Sequence, residues 1–353
     1  MEETESTDAA MKKLFLITNC ILLAVGNCGG PLIMRLYFLR GGSRIWFSSW
    51  LETGGWPIIL LPLLASYIRR RSANPGAALL HIKPRLFAAA AAIGVLTGLD
   101  DYLYAYGVSK LPVSTTTLLV ATQLAFTAAF AFLVVGQRFT AYSVNAVVLL
   151  TVGPVVLGLH SSGDRPEGEG DREYWVGFFM TLAAAALYGL ILPLVELAYK
   201  SAKQEVTYTL VMEMQLVMCF FATAFCTVGM IINNDFQVIS REAREYQLGE
   251  TKYYLVVVWN AIIWQCFYLG AIGVIFYSSS LLSAIIIHVL FPLTQTLAII
   301  FYHESFPAEK GVAFFLALWG FTSYFVGEIR YNNDNNNNKN IPTTVVQSHH
   351  LET

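Results

Sequence analysis

Charge is what this sequence has least of: Asp, Glu, Lys and Arg make up 13 % of 353 residues, about half the share usual in a soluble domain. So little charge over this length argues against a soluble enzyme. Its 22 basic and 24 acidic residues leave a net charge of −2, which provides no positive field to hold nucleic acid. Cysteine is also sparse. Cys20, Cys28, Cys219, Cys226 and Cys266 all fall in apolar stretches, and none forms a CxxC. They read as small packing residues, with neither a metal site nor a disulfide framework expected. Asn-x-Ser/Thr does not occur, so glycosylation sites give no help with topology. Also missing are a Walker loop, HExxH, GxSxG and a dinucleotide fingerprint after a strand. No catalytic residue and no cofactor are expected. The leader MEETESTDAA is acidic, unlike the basic start of a cleaved signal.

What the chain does have is long apolar runs. Ten are legible, at about 14–34, 46–68, 86–108, 112–135, 141–160, 174–199, 207–232, 253–275, 280–302 and 308–328. Each is long enough to cross about 30 Å of hydrocarbon as a helix. Stretches such as LFAAAAAIGVLTGL (86–99) lack the polar stripe of a soluble core helix. The expected fold is therefore an all-α integral membrane protein with ten transmembrane helices, embedded in a lipid bilayer. An even number of spans puts both termini on one side. Arg69-Arg70-Arg71 with Lys83 and Arg85 votes for the loop after the second span, and hence both termini, being cytoplasmic.

The two halves echo each other. PLIMRLY (31–37) ends the first run and PLVELAY (193–199) the sixth; YLYAYGVSKLPVSTTTLL (102–119) aligns with YLGAIGVIFYSSSLLSAI (268–285). Five plus five helices give repeats of opposite orientation, the architecture of carriers that bind near the midplane. The expected division is a head (1–13), a first five-helix repeat (14–160), an acidic loop (161–173), a second repeat (174–328) and a disordered Asn-rich tail (329–353).

Longer strings carry a specific resemblance. VGNCGGPLIMRLYFLRGGSRIWFSSWLETGGWP (25–57), LTGLDDYLYAYGVSKLPVSTTTLLVATQLAFTAAFAF (96–132), FTAYSVNAVVLLTVG (139–153), LPLVELAYKSAKQE (192–205), REAREYQLGE (241–250) and AEKGVAFFLALWGFTSYFVGE (308–328) resemble the plant purine permeases of the drug/metabolite transporter superfamily. The resemblance spans roughly 14–330. It implies the drug/metabolite transporter fold, a plant source, the plasma membrane, and proton-driven import of adenine-like bases and cytokinins. Relatives that carry alkaloids or vitamin B6-like rings leave those substrates open. Two positions depart from the family pattern: Asp101, where Asn is expected, and Gln295, where an acid is expected.

The candidate site rests on polar residues inside the runs. Glu52, Asp100, Asp101, Glu196 and Glu213 are acids in apolar surroundings with no basic partner deep in any run. Such groups favour the neutral carboxyl and can carry a proton. Asp100, Asp101, Glu196 and Glu213, with His288 in the ninth run, are the candidates for proton coupling; His288 can equally serve as an interhelical bond. A planar purine needs aromatic faces for stacking and groups that present donors and acceptors to its edges. Asn27, Trp50, Glu52, Tyr102, Gln123, Trp264, Gln265 and Tyr268 supply these, spread over helices of both halves. Trp50 and Trp56 can instead be interfacial anchors, and Gly26/Gly30 and Gly94/Gly98 close helix contacts. An exporter or exchanger of drug-like metabolites, a nucleoside carrier, an intramembrane enzyme and a ligand-binding receptor are the competing functions.

Overall fold

A computed structural model describes residues 2–73, 76, 78–110, 119–137, 139–159, 171–302 and 308–339, and every regular element among them is helical. Residues 112–118, almost all of the acidic loop, Arg138 and the tail from 340 lie outside the described residues, as does the side chain of Gln295. The chain begins with α1 (Glu2–Leu39), α2 (Ile45–Thr53), α3 (Pro57–Ala73) and α4 (Pro84–Lys110). After it come α5 (Gln123–Phe130), continued by a wider π turn (Ala131–Val135), α6 (Ala141–Leu159) and α7 (Asp171–Lys200). The remainder is α8 (Tyr208–Ile232), α9 (Asp235–Glu245), α10 (Glu250–Tyr277), α11 (Ser280–Val289), α12 (Phe291–Tyr302) and α13 (Ala308–Lys339).

Among the described residues, six stretches are long and apolar enough to cross a membrane: Ala10–Leu39, Ile45–Ser72, Pro84–Lys110, Trp175–Lys200, Tyr208–Ile232 and Glu250–Tyr277. Three shorter apolar helical stretches cover Leu119–Val135, Ala141–Gly153 and Ser280–Thr294. Their outer faces are apolar where a soluble protein would be polar; Leu61, Leu133 and Ile232 are each at least 70 % exposed. Apolar side chains left this bare are stable only against lipid.

Two of the expected spans are interrupted. Between α2 and α3 the chain turns at Gly54-Gly55-Trp56, and Pro57 starts the new helix, where its missing N–H is not needed. Between α11 and α12 the break falls at Leu290, and Pro292 leaves the His288 carbonyl without its helical donor. The last helix runs further than expected, through the asparagines as far as Lys339. Once a helix is nucleated, each added residue gains one backbone hydrogen bond, so a polar sequence can extend it.

Side by side, α1 packs along α10, α4 lies between α7 and α8, α5 rests on α7, and α6 pairs with α13. Small residues set these distances. Gly26 abuts the Phe267 backbone and Gly270 the Leu23 backbone, bringing α1 and α10 into direct contact. Gly94 and Gly98 do the same for α4 against the Met218 and Ala222 carbonyls of α8. Gly30 instead receives the flat indole of Trp264. At their starts, α8 is capped by the Thr207 hydroxyl and α11 by the Ser279 hydroxyl, which accept the Leu210 and Leu282 N–H groups.

Candidate functional site

Where α1, α2, α4, α5, α7, α10, α11 and α12 face one another, they leave a cavity of about 190 Å³. An apolar cavity of about 150 Å³ holds a benzene ring, so this one has space for a two-ring heterocycle. Asn27 and Pro31 line it from α1, Glu52 from α2, Asp100 and Tyr104 from α4, Gln123 from α5, and Tyr188 from α7; Trp264, Phe267 and Tyr268 line it from α10. Leu32, Arg35 and Val108 line it toward one end of the bundle, where the wall is only half-buried.

Aromatic rings form much of the wall. Phe267 stacks on Tyr188 with centroids 6.0 Å apart and meets Trp264 edge-on at 5.4 Å, with Tyr268 6.3 Å from Trp264. Four buried polar atoms of the lining have no hydrogen-bond partner among the described residues: Glu52 Oε1, Asp100 Oδ1, Gln123 Nε2 and Trp264 Nε1. Buried polar atoms are rarely left so; these are two acceptor oxygens and two N–H donors around one hollow. A carbonyl adds a further acceptor. Pro31 has no N–H, so the Asn27 carbonyl lacks its partner one turn on, and Pro193 does the same to Gly189 in α7. The Asn27 side chain spends one N–H on the Ile287 carbonyl, 3.1 Å away, fixing α1 to α11.

Just behind the wall, Asp101 Oδ1 accepts the Tyr268 hydroxyl at 2.6 Å, and the Ser49 hydroxyl donates to the Asp101 carbonyl at 3.3 Å. Glu52, Asp100 and Asp101 are all buried and within electrostatic reach of one another. No ion pair ties any of the three to a lysine or arginine among the described residues.

The structure thus brings together Asn27, Glu52, Asp100, Gln123, Trp264 and Tyr268, with Asp101 immediately behind, and separates the other candidates from the cavity. Trp50 Nε1 donates to Thr227 Oγ1 at 3.0 Å, and Tyr102 stacks on Trp46 at 3.9 Å. Gln265 donates to the Thr53 carbonyl at 3.1 Å and contacts Cys219, bracing the end of α2 from behind the wall. Glu196 does have a basic partner, contrary to expectation. Lys200 Nζ lies 2.9 Å away, and the Ser280 N–H donates at 2.8 Å. Glu213 accepts the N–H groups of His81 and Ile82 at 2.7 and 2.8 Å, holding the loop before α4. His288 spends Nδ1 on the Ala284 carbonyl, 2.8 Å away, and does not belong to the lining.

Several lining residues escape the sequence reading. Arg35, placed beyond the first run, lies in α1 and lines the cavity, with its guanidinium 5.2 Å from the centre of the Tyr302 ring. Tyr104, Tyr188 and Phe267 read as ordinary core aromatics; the one available signal is Tyr104 standing one turn after Asp100. A second polar cluster also goes unforeseen. Glu242 of α9 accepts the Tyr37 and Tyr253 hydroxyls at 2.5 and 3.0 Å, and both the N–H and the hydroxyl of Ser43 at 3.1 Å. Beside it, burial pushes the Asp235 carboxyl above its ordinary value, against the pull of Asn233 and Arg44.

A family model described as purine nucleobase transmembrane transport matches residues 14–334. Purine permease 3 of Arabidopsis thaliana is 57 % identical over 92 % of this chain and 93 % of its own length. Purine permease 2 of the same plant is 52 % identical over 91 % and 93 %. Probable purine permease 5, also from Arabidopsis, is 35 % identical over 84 % and 81 %. A crystal structure 16 % identical to the chain superposes with a TM-score of 0.61, covering 91 % of this chain and 99 % of its own, and so speaks for the fold alone.

Proposed function

The chain belongs to the purine permease family, an integral membrane transporter and not an enzyme, and from that premise we propose that it imports adenine-like bases and cytokinins by proton symport. The observation that carries this reading is the cavity itself. Aromatic faces stand beside Asn27, Gln123, Glu52 and Asp100, which together present the donors and acceptors that the edges of an aminopurine require. Asp100 and Asp101, with Glu52 close by, are the proposed proton carriers. Buried carboxyls beside a hollow and without a basic partner among the described residues release a proton most readily when the site opens to water or exchanges it for ligand.

Alternating access through ten helices in two inverted repeats completes the proposal. Its support is the pairing of helices: α1 against α10 has its counterpart in α7 against α4, and α6 packs against α13 across the two halves. Matched motifs place Pro31 opposite Pro193. The basic end, with Arg70, Lys83, Lys200 and Lys203, is assigned to the cytoplasm. The termini then lie inside, the half-buried end of the cavity faces out, and the plasma membrane is the proposed location. Uptake of labelled adenine into proteoliposomes, with and without an imposed inward proton gradient, tests the claim. Accumulation indifferent to the gradient defeats symport. Aromatic walls with two carboxyls would also seat a protonated amine, so a panel of cytokinins, nucleosides and alkaloid cations as competitors decides between ligand classes.

A further inference from the structure

We infer that Glu196 is the latch that holds one end of the cavity shut, and that its bond to the start of α11 breaks each time that end opens. The inference rests on alternating access as proposed above. The cavity reaches the half-buried end between Leu32 and Arg35 of α1 and Val108 of α4, but stops in the other direction. There α7 converges on the junction of α10 and α11. Glu196 Oε2 accepts the Ser280 N–H at 2.8 Å, Tyr199 meets Phe276 edge-on at 6.1 Å, and Ser280 and Ser283 are completely buried.

Higher up the same helices frame the cavity and meet through the Tyr188–Phe267 stack. Ala184, Ala185 and Tyr188 of α7 line the cavity opposite Trp264 and Tyr268 of α10. Glu196 thus bridges two walls of the hollow, two turns below its floor, in the way a gate must. Glu213 differs. It ties α8 to the loop before α4, and α4 and α8 are already in backbone contact at Gly94 and Gly98. That tie lies within a packed pair and has no gap to close. Matched motifs sharpen the point: PLVELAY sets Glu196 where PLIMRLY has Met34, on the α1 segment that borders the open end.

Lys200, 56 % exposed at the end of α7, lies 2.9 Å from the other Glu196 oxygen. It helps to aim the carboxyl group, and being half in water it adds little by itself. The main hold is the charge-assisted bond from the helix start, where the orphan N–H groups of α11 favour an anion. Losing a bond of this kind shifts an equilibrium about tenfold to a hundredfold.

Ser280→Pro tests the latch with little collateral damage. It deletes the backbone N–H that Glu196 accepts, at the first position of a helix, where proline fits, after Ser279, whose φ −156 and ψ 163 are the extended values a following proline favours. Full-length protein carrying Ser283→Cys is placed in sealed vesicles of either orientation and exposed to a membrane-impermeant maleimide. Mass spectrometry then reads the label at position 283. Labelling from the latch side is expected to rise at least tenfold with Ser280→Pro and with Glu196→Ala, and to rise less with Lys200→Met. Val108→Cys, read from the opposite side, should become slower to label in the first two variants, which also shows them folded. Unchanged labelling in both overturns the latch. Adenine uptake by the parent protein is measured in the same vesicles; its absence beside altered labelling would refute the substrate and leave the latch standing.

Discussion

Replacing Gln123 with leucine should move stability and affinity in different directions. Gln123 Nε2 is buried in the cavity wall with no hydrogen-bond partner among the described residues. An unmet donor of that kind costs about 1–3 kcal/mol in the ligand-free protein. Leucine has similar bulk and nothing to satisfy, so the empty transporter should unfold at the same or a higher temperature. Binding should suffer. The amide N–H is placed to donate to a ring nitrogen, and a methyl group in its place strands that acceptor, at about 1–3 kcal/mol. This corresponds to about 5- to 150-fold in Kd. Equilibrium binding of labelled adenine to purified protein, beside a thermal melt without ligand, reads both quantities. A melting temperature lower by several degrees with Kd unchanged would refute the reasoning, since the amide would then be holding the fold together.

Other consequences can be checked alongside. Asp100→Asn keeps the shape of the wall and removes a titrating group, so it should reduce gradient-driven accumulation at least tenfold while leaving adenine exchange across the membrane; equal accumulation by variant and parent would remove Asp100 from the coupling step. Gly270→Leu forces a side chain into the Leu23 backbone and should cost at least about 1–3 kcal/mol, seen as loss of monodisperse protein in detergent, whereas Gly311→Leu, with open space at that position, should be tolerated. Glu242→Ala leaves the buried Tyr37 and Tyr253 hydroxyls without their acceptor, while the exposed Ser43 can turn to water, which predicts a loss of about 2–6 kcal/mol in a melt.

Much of this was legible from residue type and spacing. Runs without a polar stripe identify the membrane helices, and acids stranded within them point to Glu52, Asp100 and Asp101. The breaks were harder to see, although GGWP and LFP carry the signal in retrospect: glycine pairs and prolines end helical hydrogen bonding wherever the fold lets them. Burial alone could not separate Asp100 from Glu213. Both are acids in apolar runs, and only the partner distinguishes them: a hollow for one, two backbone N–H groups for the other. Arg35 was lost for the opposite reason. A cation marks the end of an apolar run on a hydropathy count, yet α1 continues another turn to Leu39 and carries the guanidinium along the cavity. Tyr188 and Phe267 give no sequence signal, because an aromatic facing a ligand and one facing a neighbour are the same letter.

Pro31 and Pro193 each remove one rung from the ladder of a long helix, the first within the cavity wall and the second just past it. A rod missing a rung behaves as two shorter rods on a shared pivot. In α7 the pivot falls between the stretch that lines the cavity, 184–188, and the stretch that bears Glu196. On the proposed latch, the lower arm could swing while the upper arm stays in place, so opening the door would not require the passenger's seat to loosen.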